Sequence, residues 1–348
     1  MIPVEVKNPP NPWSRSTVDY LGEPPSMRLQ VYEDRTREIL SRNESPDIPF
    51  RYSVNPYRGC YHACSYCYAR PTHEYLGFGS GTDFDRRIVV KPEAASLLRQ
   101  SFERPSWQGE VVVFSGNTDC YQPLEASYRL TRGCLEVCAD YRNPVGIITK
   151  GALIERDIDV LTQLHRDARV SIAVSLPFLD AERARLIEPF APSPARRLQT
   201  IERLVKAGLR VSVMMAPVIP GLNDEEIGDV LKAAKDAGAS RVGMSILRLP
   251  GSALEVFTER MTETMPLRVE RVLARSREVR GGALDDNRPG HRHTGQGAHY
   301  QMIESLFAVT ARKLGLSGDD ESDLRDDRPT TFRRPTDRGG QMRLFDEG

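Results

Sequence analysis

Short apolar runs alternate with helix-length segments through the middle of the chain, and this alternation limits the possible folds more than any other feature. The runs are EVVVFSG (110–116), VGIITK (145–150), RVSIAVSL (169–176), RVSVMMAPVI (210–219) and RVGMSILRL (241–249), and the segments between them include 124–141, 155–167, 194–207 and 224–237. Continuous Val and Ile runs predict strands buried on both faces, and therefore parallel βαβ units. With a further strand at YSVN (52–55), six repeats result, as an open sheet or a barrel. Either architecture places chemistry at the carboxyl ends of the strands.

The repeats lie between two more polar ends. Residues 1–45 are predicted to be an N-terminal extension with one helix at 27–40, and residues 46–260 to be the core. Residues 261–316 are predicted to be a C-terminal helical segment. The tail, 317–348, is polar, contains Pro and Gly, and has almost no large apolar residues, so it is expected to be disordered.

Composition points to a reducing compartment. No run approaches the roughly 20 apolar residues of a membrane span, and the start of the sequence does not resemble a secretory signal. A cytoplasmic location is therefore expected, where clustered thiols are metal ligands or redox groups more often than disulfides. The net charge is zero and gives no overall attraction to nucleic acid.

Half of the six cysteines lie in the stretch NPYRGCYHACSYCYAR (55–70). Cys60, Cys64 and Cys67 form the pattern C-x3-C-x2-C, directly after the first predicted strand. Three thiolates on one loop can hold three irons of a cubane cluster and leave the fourth iron open to a substrate. A structural zinc site would need a fourth ligand, such as His62 or His73, and usual zinc spacing pairs cysteines in separate knuckles.

The pattern C-x3-C-x-aromatic-C, with Tyr66 as the aromatic residue, resembles the signature of the radical S-adenosylmethionine (radical SAM) superfamily. This resemblance implies a partial (β/α)6 barrel of the TIM type. It also implies two cofactors, a 4Fe-4S cluster and S-adenosyl-L-methionine, whose reductive cleavage yields a 5'-deoxyadenosyl radical. An electron donor such as flavodoxin or ferredoxin is then expected as a partner.

Polar residues follow the second predicted strand in FSGNTDCYQPLE (114–125). The resemblance makes Ser115, Asn117, Thr118 and Asp119 candidates for holding the methionine amine. A simple turn, with Asp119 capping the next helix, would use the same residue types.

A narrower resemblance is to uncharacterised bacterial proteins related to spore photoproduct lyase, often described as predicted DNA repair photolyases. It rests on the cysteine stretch together with TDCYQPLE and IITK, and it extends over most of residues 28–312. In that branch a lysine and a serine at strand ends contact S-adenosylmethionine, which implies this role for Lys150 and Ser175. A lysine suits the carboxylate of that cofactor as a point charge.

The sequence departs from the lyase at its hydrogen-donor cysteine, whose position corresponds to Gly116. Cys120 lies four residues further on and is a candidate donor, although a buried structural thiol is the simpler interpretation. The residue pair Cys134 and Cys138 is one helical turn apart and fits an apolar helix face better than an auxiliary cluster. The segment HRHTGQGAH (291–299) is a candidate mobile loop near the site, or a metal site.

Residues beside the cysteines and two basic segments bear on substrate and partners. Arg58, Arg70, His73 and Glu74 are candidates for contacting substrate or tuning a cluster. The segment 268–280 carries five arginines on a predicted helix, which is consistent with nucleic-acid binding, although its glutamates make a solvated, self-paired face the simpler interpretation. Near the end, Gln341, Met342, Leu344 and Phe345 resemble the peptides with which bacterial replication and repair proteins bind the sliding clamp.

These patterns together predict an α/β protein with a partial (β/α)6 barrel, an N-terminal extension and C-terminal helices. The predicted function is radical SAM chemistry on an unknown substrate, with a nucleic-acid base or DNA lesion as one candidate. The alternatives are a radical SAM enzyme acting on a peptide or small molecule, a non-catalytic iron-sulfur sensor, and a zinc-stabilised nucleic-acid-binding module.

Overall fold

The structure is a computed structural model, and it describes residues 4–6, 29–284, 291–316 and 329–335. Its strands, in chain order, are β1 (Val4–Val6), β2 (Gln30–Glu33), β3 (Leu40–Arg42), β4 (Tyr52–Val54), β5 (Tyr57–Arg58), β6 (Arg87–Val90), β7 (Val112–Phe114), β8 (Val145–Thr149), β9 (Val170–Ser175), β10 (Val211–Val218) and β11 (Arg241–Ile246).

The α-helices follow most of these strands along the chain. They are α1 (Thr82–Arg86), α2 (Ala94–Glu103), α3 (Glu125–Tyr128), α4 (Leu130–Asp140), α5 (Ile158–Asp167), α6 (Ala181–Ile187), α7 (Pro194–Lys206), α8 (Ile227–Asp236), α9 (Ala253–Thr264), α10 (Val269–Val279) and α11 (Gly297–Lys313). Short 3-10 helices cover Arg70–Leu76, Ala152–Asp157 and Asp224–Glu226.

The main sheet has seven strands in the order β11-β10-β9-β8-β7-β4-β3. Six of them, from β4 to β11, run parallel, and β3 pairs antiparallel with β4 at one edge. The sheet is open, since β3 and β11 are its two edges. The predicted βα repeats and partial barrel are confirmed. The Val and Ile side chains of the parallel strands are buried in the main hydrophobic core, together with side chains of the helices.

A second sheet, in the order β1-β2-β6-β5, combines β1 and β2 of the N-terminal extension with β5 and β6, which lie between β4 and β7 in the chain. Its strand β5 ends immediately before the first cysteine, and β6 pairs with both β5 and β2. The strands β5 and β6 therefore flank the three cysteines in the chain.

The helix predicted for residues 27–40 is wrong. Residues 30–33 form β2, which pairs parallel with β6 over its whole length, and β3 begins at Leu40. The charged, alternating sequence has good helix formers, but pairing with a neighbouring strand outweighs intrinsic propensity. The N-terminal extension is therefore hydrogen-bonded into both sheets.

The C-terminal part contributes helices and one short docked segment. The helices α10 and α11 contact each other, and α11 packs on α8. Residues 329–335 lie against the domain through Phe332, so the predicted disorder does not hold for this part of the tail. The rest of the tail, including Gln341, Met342, Leu344 and Phe345, lies outside the described residues. Among the helices that the structure describes, none has the length and apolar character that crossing a membrane requires.

Candidate active site

The three cysteines lie on one loop after β4 and β5, which we call the cysteine loop (residues 59–70). It begins at Gly59, whose φ is +78°, and a Cβ at this position would lie 2.8 Å from the carbonyl oxygen of Phe84. The same oxygen accepts a 2.9 Å hydrogen bond from the backbone N of Cys60. Glycine is therefore needed for the chain to turn into the first cysteine at this close approach.

Two of the flanking residues support the loop from inside. Arg70 is buried; its Nε donates to the carbonyl oxygen of Cys64 at 3.0 Å, and its Nη2 lies 2.9 Å from Oδ1 of Asp85. His73 is also buried, with Nε2 2.9 Å from the carbonyl oxygen of Arg87. Burial lowers the pKa of His73 to about 4, so the ring is neutral at neutral pH and donates this hydrogen bond. Both side chains position the loop and do not face the open side.

The thiols are free and sheltered from solvent. Cys60 and Cys64 are buried and Cys67 is half-buried. Burial raises the pKa of Cys64 to about 12 and also raises the pKa of the other two thiols, whereas nearby Lys150 acts in the opposite direction on Cys64. Sheltered thiols of this kind become thiolates when a metal centre neutralises their charge.

The turn after β7, residues 115–119, is built on Asn55 at the end of the neighbouring strand β4. Oδ1 of Asn55 accepts hydrogen bonds from the backbone N of Asn117 at 2.9 Å and from that of Thr118 at 3.4 Å. Ser115 has φ +73°, a left-handed conformation that is uncommon for serine. The turn is thus fixed in a strained conformation by a side chain from the strand that precedes the cysteine loop.

Asp119 joins this turn to the cysteine loop and to β8. Its Oδ2 lies 3.3 Å from Nδ1 of His62 and accepts a 2.8 Å hydrogen bond from the backbone N of Lys150. Its Oδ1 accepts from Oγ1 of Thr149 at 2.6 Å and from the backbone N of Tyr121 at 2.9 Å. Burial alone would raise the pKa of Asp119, but His62 and these hydrogen bonds outweigh burial and hold it below its ordinary value. Asp119 is therefore a largely buried carboxylate, with its side chain 11% exposed, that ties three loops together.

The aromatic residue of the cysteine motif is anchored by a buried ion pair. The Tyr66 hydroxyl donates to Glu188, and Glu188 also pairs with Arg197. Nη1 of Arg197 donates to the carbonyl oxygen of Ser175 at 3.1 Å, and Nζ of Lys150 lies 5.6 Å from the centroid of the Tyr66 ring. Burial would raise the pKa of Glu188, but Arg197 and Lys150 lower it, so the carboxylate is charged.

Tyr68 marks the open side of the site. Its side chain is 47% exposed, although its hydroxyl donates to the carbonyl oxygen of Gly116 at 2.7 Å. The guanidinium of Arg248, which follows β11, lies 5.8 Å from the centroid of the Tyr68 ring. A solvent-facing aromatic ring and a cation therefore lie together at the open side of the site, which we call the mouth. It is bordered by the cysteine loop and by the residues that follow β7 and β11.

Cys120 does not face this mouth. It is fully buried in the main core together with Cys134 and Cys138, and its carbonyl oxygen accepts a 2.7 Å hydrogen bond from Oγ1 of Thr131. Its backbone N donates to Oγ of Ser115 at 2.9 Å. This placement favours the structural-thiol interpretation over hydrogen donation.

The histidine-containing segment 291–299 is fastened to the end of β11 by Arg280. This buried arginine donates hydrogen bonds of 2.6–3.0 Å to five backbone carbonyls, those of Ile246, Leu247, His291, Arg292 and Thr294. One of the five arginines of segment 268–280 therefore has a structural role.

Four residues of the site were not predicted as such from the sequence. Asn55 ends the first parallel strand, so the strand-end rule applied there would have found it. His62 lies within the cysteine pattern and was considered only as a zinc ligand. Glu188 and Arg197 lie between β9 and β10, on or near α6 and α7, and only the three-dimensional structure brings them to Tyr66.

The residues present fit a cubane cluster and a polar cofactor beside it. The donor set is three thiols on one loop, which can hold three irons of a cubane cluster and leave the fourth open. In the adjacent turn, the buried Oγ1 of Thr118 has no hydrogen-bond partner among the described residues. A parallel α/β domain with a three-cysteine loop at its carboxyl edge defines an iron-sulfur protein of the partial-barrel class.

Comparison with known proteins agrees with this class. The family model of the radical SAM superfamily matches residues 54–234, just over half of the chain, and the chain belongs to this superfamily. Its members are enzymes that use a 4Fe-4S cluster and S-adenosylmethionine. Uncharacterised proteins of Mycobacterium tuberculosis and Mycobacterium bovis are 44% identical over 305 residues, 84% of this chain and 85% of theirs.

More distant similarity is also found. An uncharacterised protein of Methanocaldococcus jannaschii is 28% identical over 201 residues, 58% of this chain and 72% of its own length. A solved structure of a spore photoproduct lyase mutant with bound AdoMet and dinucleoside spore photoproduct matches with a TM-score of 0.57 and 14% identity. The match covers 83% of this chain and 80% of the lyase, and it shows a shared fold.

Proposed function

We propose that the protein catalyses reductive cleavage of S-adenosylmethionine coupled to hydrogen abstraction from a substrate. The observation that carries this proposal is that Asp119 and Asn55 join the turn after β7 to the cysteine loop and its strand. When bound, the cluster and S-adenosylmethionine supply a 5'-deoxyadenosyl radical that abstracts a hydrogen atom.

The cysteines are proposed to bind the cluster, and the polar residues at the strand ends are proposed to bind S-adenosylmethionine. Cys60, Cys64 and Cys67 would bind three irons, and Ser115, Asn117 and Thr118 would face the cofactor amine, the last two being held by Asn55. Lys150 pairs with the cofactor carboxylate, and Ser175 lies at the end of the next strand. The groups that would hold the cofactor therefore lie at the carboxyl ends of β7, β8 and β9.

Apolar side chains keep water from the reacting groups. Cys64 and Tyr66 pack with a buried cluster that includes Phe178, Ile219 and Leu247. A dry environment strengthens electrostatic contacts and protects reactive species from side reactions. Tyr68 and Arg248, which border the open side, are the residues proposed to meet the substrate.

The proposal is tested by anaerobic reconstitution, with iron and sulfide assays and measurement of 5'-deoxyadenosine after adding dithionite and S-adenosylmethionine. Cys64→Ala should lose both cluster and product. Cys138→Ala, which removes a buried thiol from α4, should keep both. Full cluster loading without cleavage would favour the sensor alternative, and equal loading in the two variants would contradict the ligand assignment.

Among the candidate substrates, a nucleic acid is favoured by the position of two arginines on α10. The exposed arginines Arg271 and Arg275 of α10 lie beside the loop after β10, where a Cβ added at Gly221 would be 3.6 and 3.5 Å from their side chains. Arg275 also pairs with Glu278 at 2.8 Å, an exposed contact that a phosphate group can replace. They flank the carboxyl side of the sheet, the side on which the cysteine loop lies. Phosphate contacts by such residues would orient a polynucleotide toward the mouth.

Salt dependence of binding tests this candidate. In Arg271→Gln/Arg275→Gln, affinity for single- or double-stranded DNA should fall and the slope of log K against log salt should decrease by about 2. The control Arg210→Gln/Lys235→Gln changes two exposed cations near the amino ends of the strands. Equal slopes in both variants would favour the alternative of a peptide or small-molecule substrate.

Partners and location are part of the same proposal. A reductant of the flavodoxin or ferredoxin type would supply the electron, and a cytoplasmic location fits oxygen-sensitive chemistry. A role in DNA repair and binding of a sliding clamp through Gln341, Met342, Leu344 and Phe345 stay predictions.

A further inference from the structure

Residues 329–335 are docked on the face opposite the candidate active site. Oγ1 of Thr330 donates to the carbonyl oxygen of Gly109 at 2.6 Å, just before β7. The backbone N of Arg333 donates to the carbonyl oxygen of Tyr141 at 2.8 Å, before β8. The segment therefore bridges the amino ends of two strands whose carboxyl ends carry the 115–119 turn and Lys150.

Phe332 occupies an aromatic pocket at this position. Its ring centroid lies 5.9 Å from that of Phe102 at 74° and 6.1 Å from that of Tyr141 at 16°. Phe102 in turn stacks on Trp107, with centroids 5.2 Å apart. Gly109 closes the pocket, since a Cβ there would lie 2.2 Å from Cβ of Phe332. The pocket thus admits the Phe332 ring only because residue 109 has no side chain.

The neighbouring residues bind carbonyl groups at the ends of two helices. Arg334 donates from Nε to the carbonyl oxygen of Phe102 at 3.1 Å and from Nη2 to that of Arg104 at 2.7 Å, at the end of α2. Oγ1 of Thr331 donates to the carbonyl oxygen of Arg142 at 2.8 Å, just after α4. Helix C-termini have unpaired carbonyl groups and carry partial negative charge, so a guanidinium suits this place.

We propose that this aromatic pocket and the carbonyl groups at the ends of α2 and α4 form a peptide-binding site, the tail site. Its ligand is a Thr-Thr-Phe-Arg-Arg sequence, supplied by the chain's own residues 330–334. Occupancy ties the segments before β7 and β8 together. It also holds residues 329–335 on the face away from the cysteine loop. The tail site does not depend on the reaction at the other face.

Trp107 provides a direct optical probe of the site. The chain has two tryptophans, and Trp13→Phe in the full-length protein leaves Trp107 as the only one. In this background, Phe332→Ala should change the Trp107 emission and lower the melting temperature by about 2–3 °C. Adding the peptide PTTFRRP at about 1 mM, the effective concentration that a short tether provides, should restore both.

Two controls keep the experiment decisive. The peptide with Ala in place of Phe should restore neither signal, and Leu267→Ala, which truncates a side chain that is 98% exposed, should leave both unchanged. Unchanged emission and melting temperature in Phe332→Ala, or failure of the peptide to restore either, would overturn the proposal. A wild-type dimer that dissociates on Phe332→Ala would overturn the assignment of the chain's own tail as the ligand.

Discussion

At the scale of single residues, the site depends on buried charges that are fully paired. Glu188 and Arg197 are almost inaccessible, and Tyr66 and the carbonyl oxygen of Ser175 complete their hydrogen bonds. Burying a charge is unfavourable unless its partner stays in place. The position of the motif's aromatic residue is therefore linked to the integrity of this ion pair.

Removing one partner of the pair should be far more destabilising than removing both charges. Arg197→Met leaves the Glu188 carboxylate buried and should lower the free energy of unfolding by about 3–5 kcal/mol. Glu188→Gln/Arg197→Met keeps an acceptor for Tyr66 and should recover part of this loss, as measured by anaerobic urea unfolding.

The matched control is an exposed pair on α8. Lys232→Met removes the partner of Asp236, 2.6 Å away, and should cost less than about 1 kcal/mol. If Arg197→Met were no more destabilising than Lys232→Met, the buried ion pair would not support the site.

His73 should make stability depend on pH. Burial lowers its pKa from 6.5 to about 4, so the unfolded chain binds the proton first as the pH falls. This contribution is complete above pH 6.5 and is lost as the pH falls toward 4, in total about 3 kcal/mol. His73→Gln should flatten the loss of unfolding free energy between pH 6.5 and 5. A wild-type slope retained in His73→Gln would exclude this histidine as the cause.

At the scale of elements, the carboxyl ends of β4, β7, β8 and β9 carry the site. Asn55, the 115–119 turn, Lys150 and Ser175 each follow one of these strands. Residues placed by this rule were predictable from sequence, because strand ends follow directly from the apolar runs. Glu188 and Arg197 were not, since no periodic pattern marks a side chain that reaches the site from between two strands.

The end of β11 should depend on Arg280. Because its guanidinium makes five hydrogen bonds to carbonyl groups, Arg280→Met should open the segment 291–296 locally. Hydrogen exchange of its amides should become about tenfold faster or more, the equivalent of one lost charged hydrogen bond. Arg277→Met, an exposed neighbour on α10, should leave exchange unchanged; equal protection in both variants would show that the segment is held by other contacts.

At the scale of the whole molecule, the open sheet brings the chemistry to one face and the docked tail to the other. The six parallel repeats and the cysteine loop were predictable because apolar runs and thiol spacing are local signals. The helix predicted at 27–40 failed because pairing of β2 with β6 spans more than fifty residues. The docking of Phe332 was also missed, since its pocket is formed by α2, α4 and the loops after them.

The most direct test of this account is the electron paramagnetic resonance spectrum of the reduced cluster during titration with S-adenosylmethionine. The wild-type spectrum should change as the cofactor binds. In Lys150→Met, iron and sulfide content should stay the same. The S-adenosylmethionine concentration that gives half of the spectral change should rise about tenfold, equivalent to about 1.4 kcal/mol of binding free energy. Lys206→Met, at the end of α7, should behave as wild type. A wild-type spectrum that does not respond to S-adenosylmethionine would contradict the central claim that the strand ends and the cysteine loop form one cofactor site.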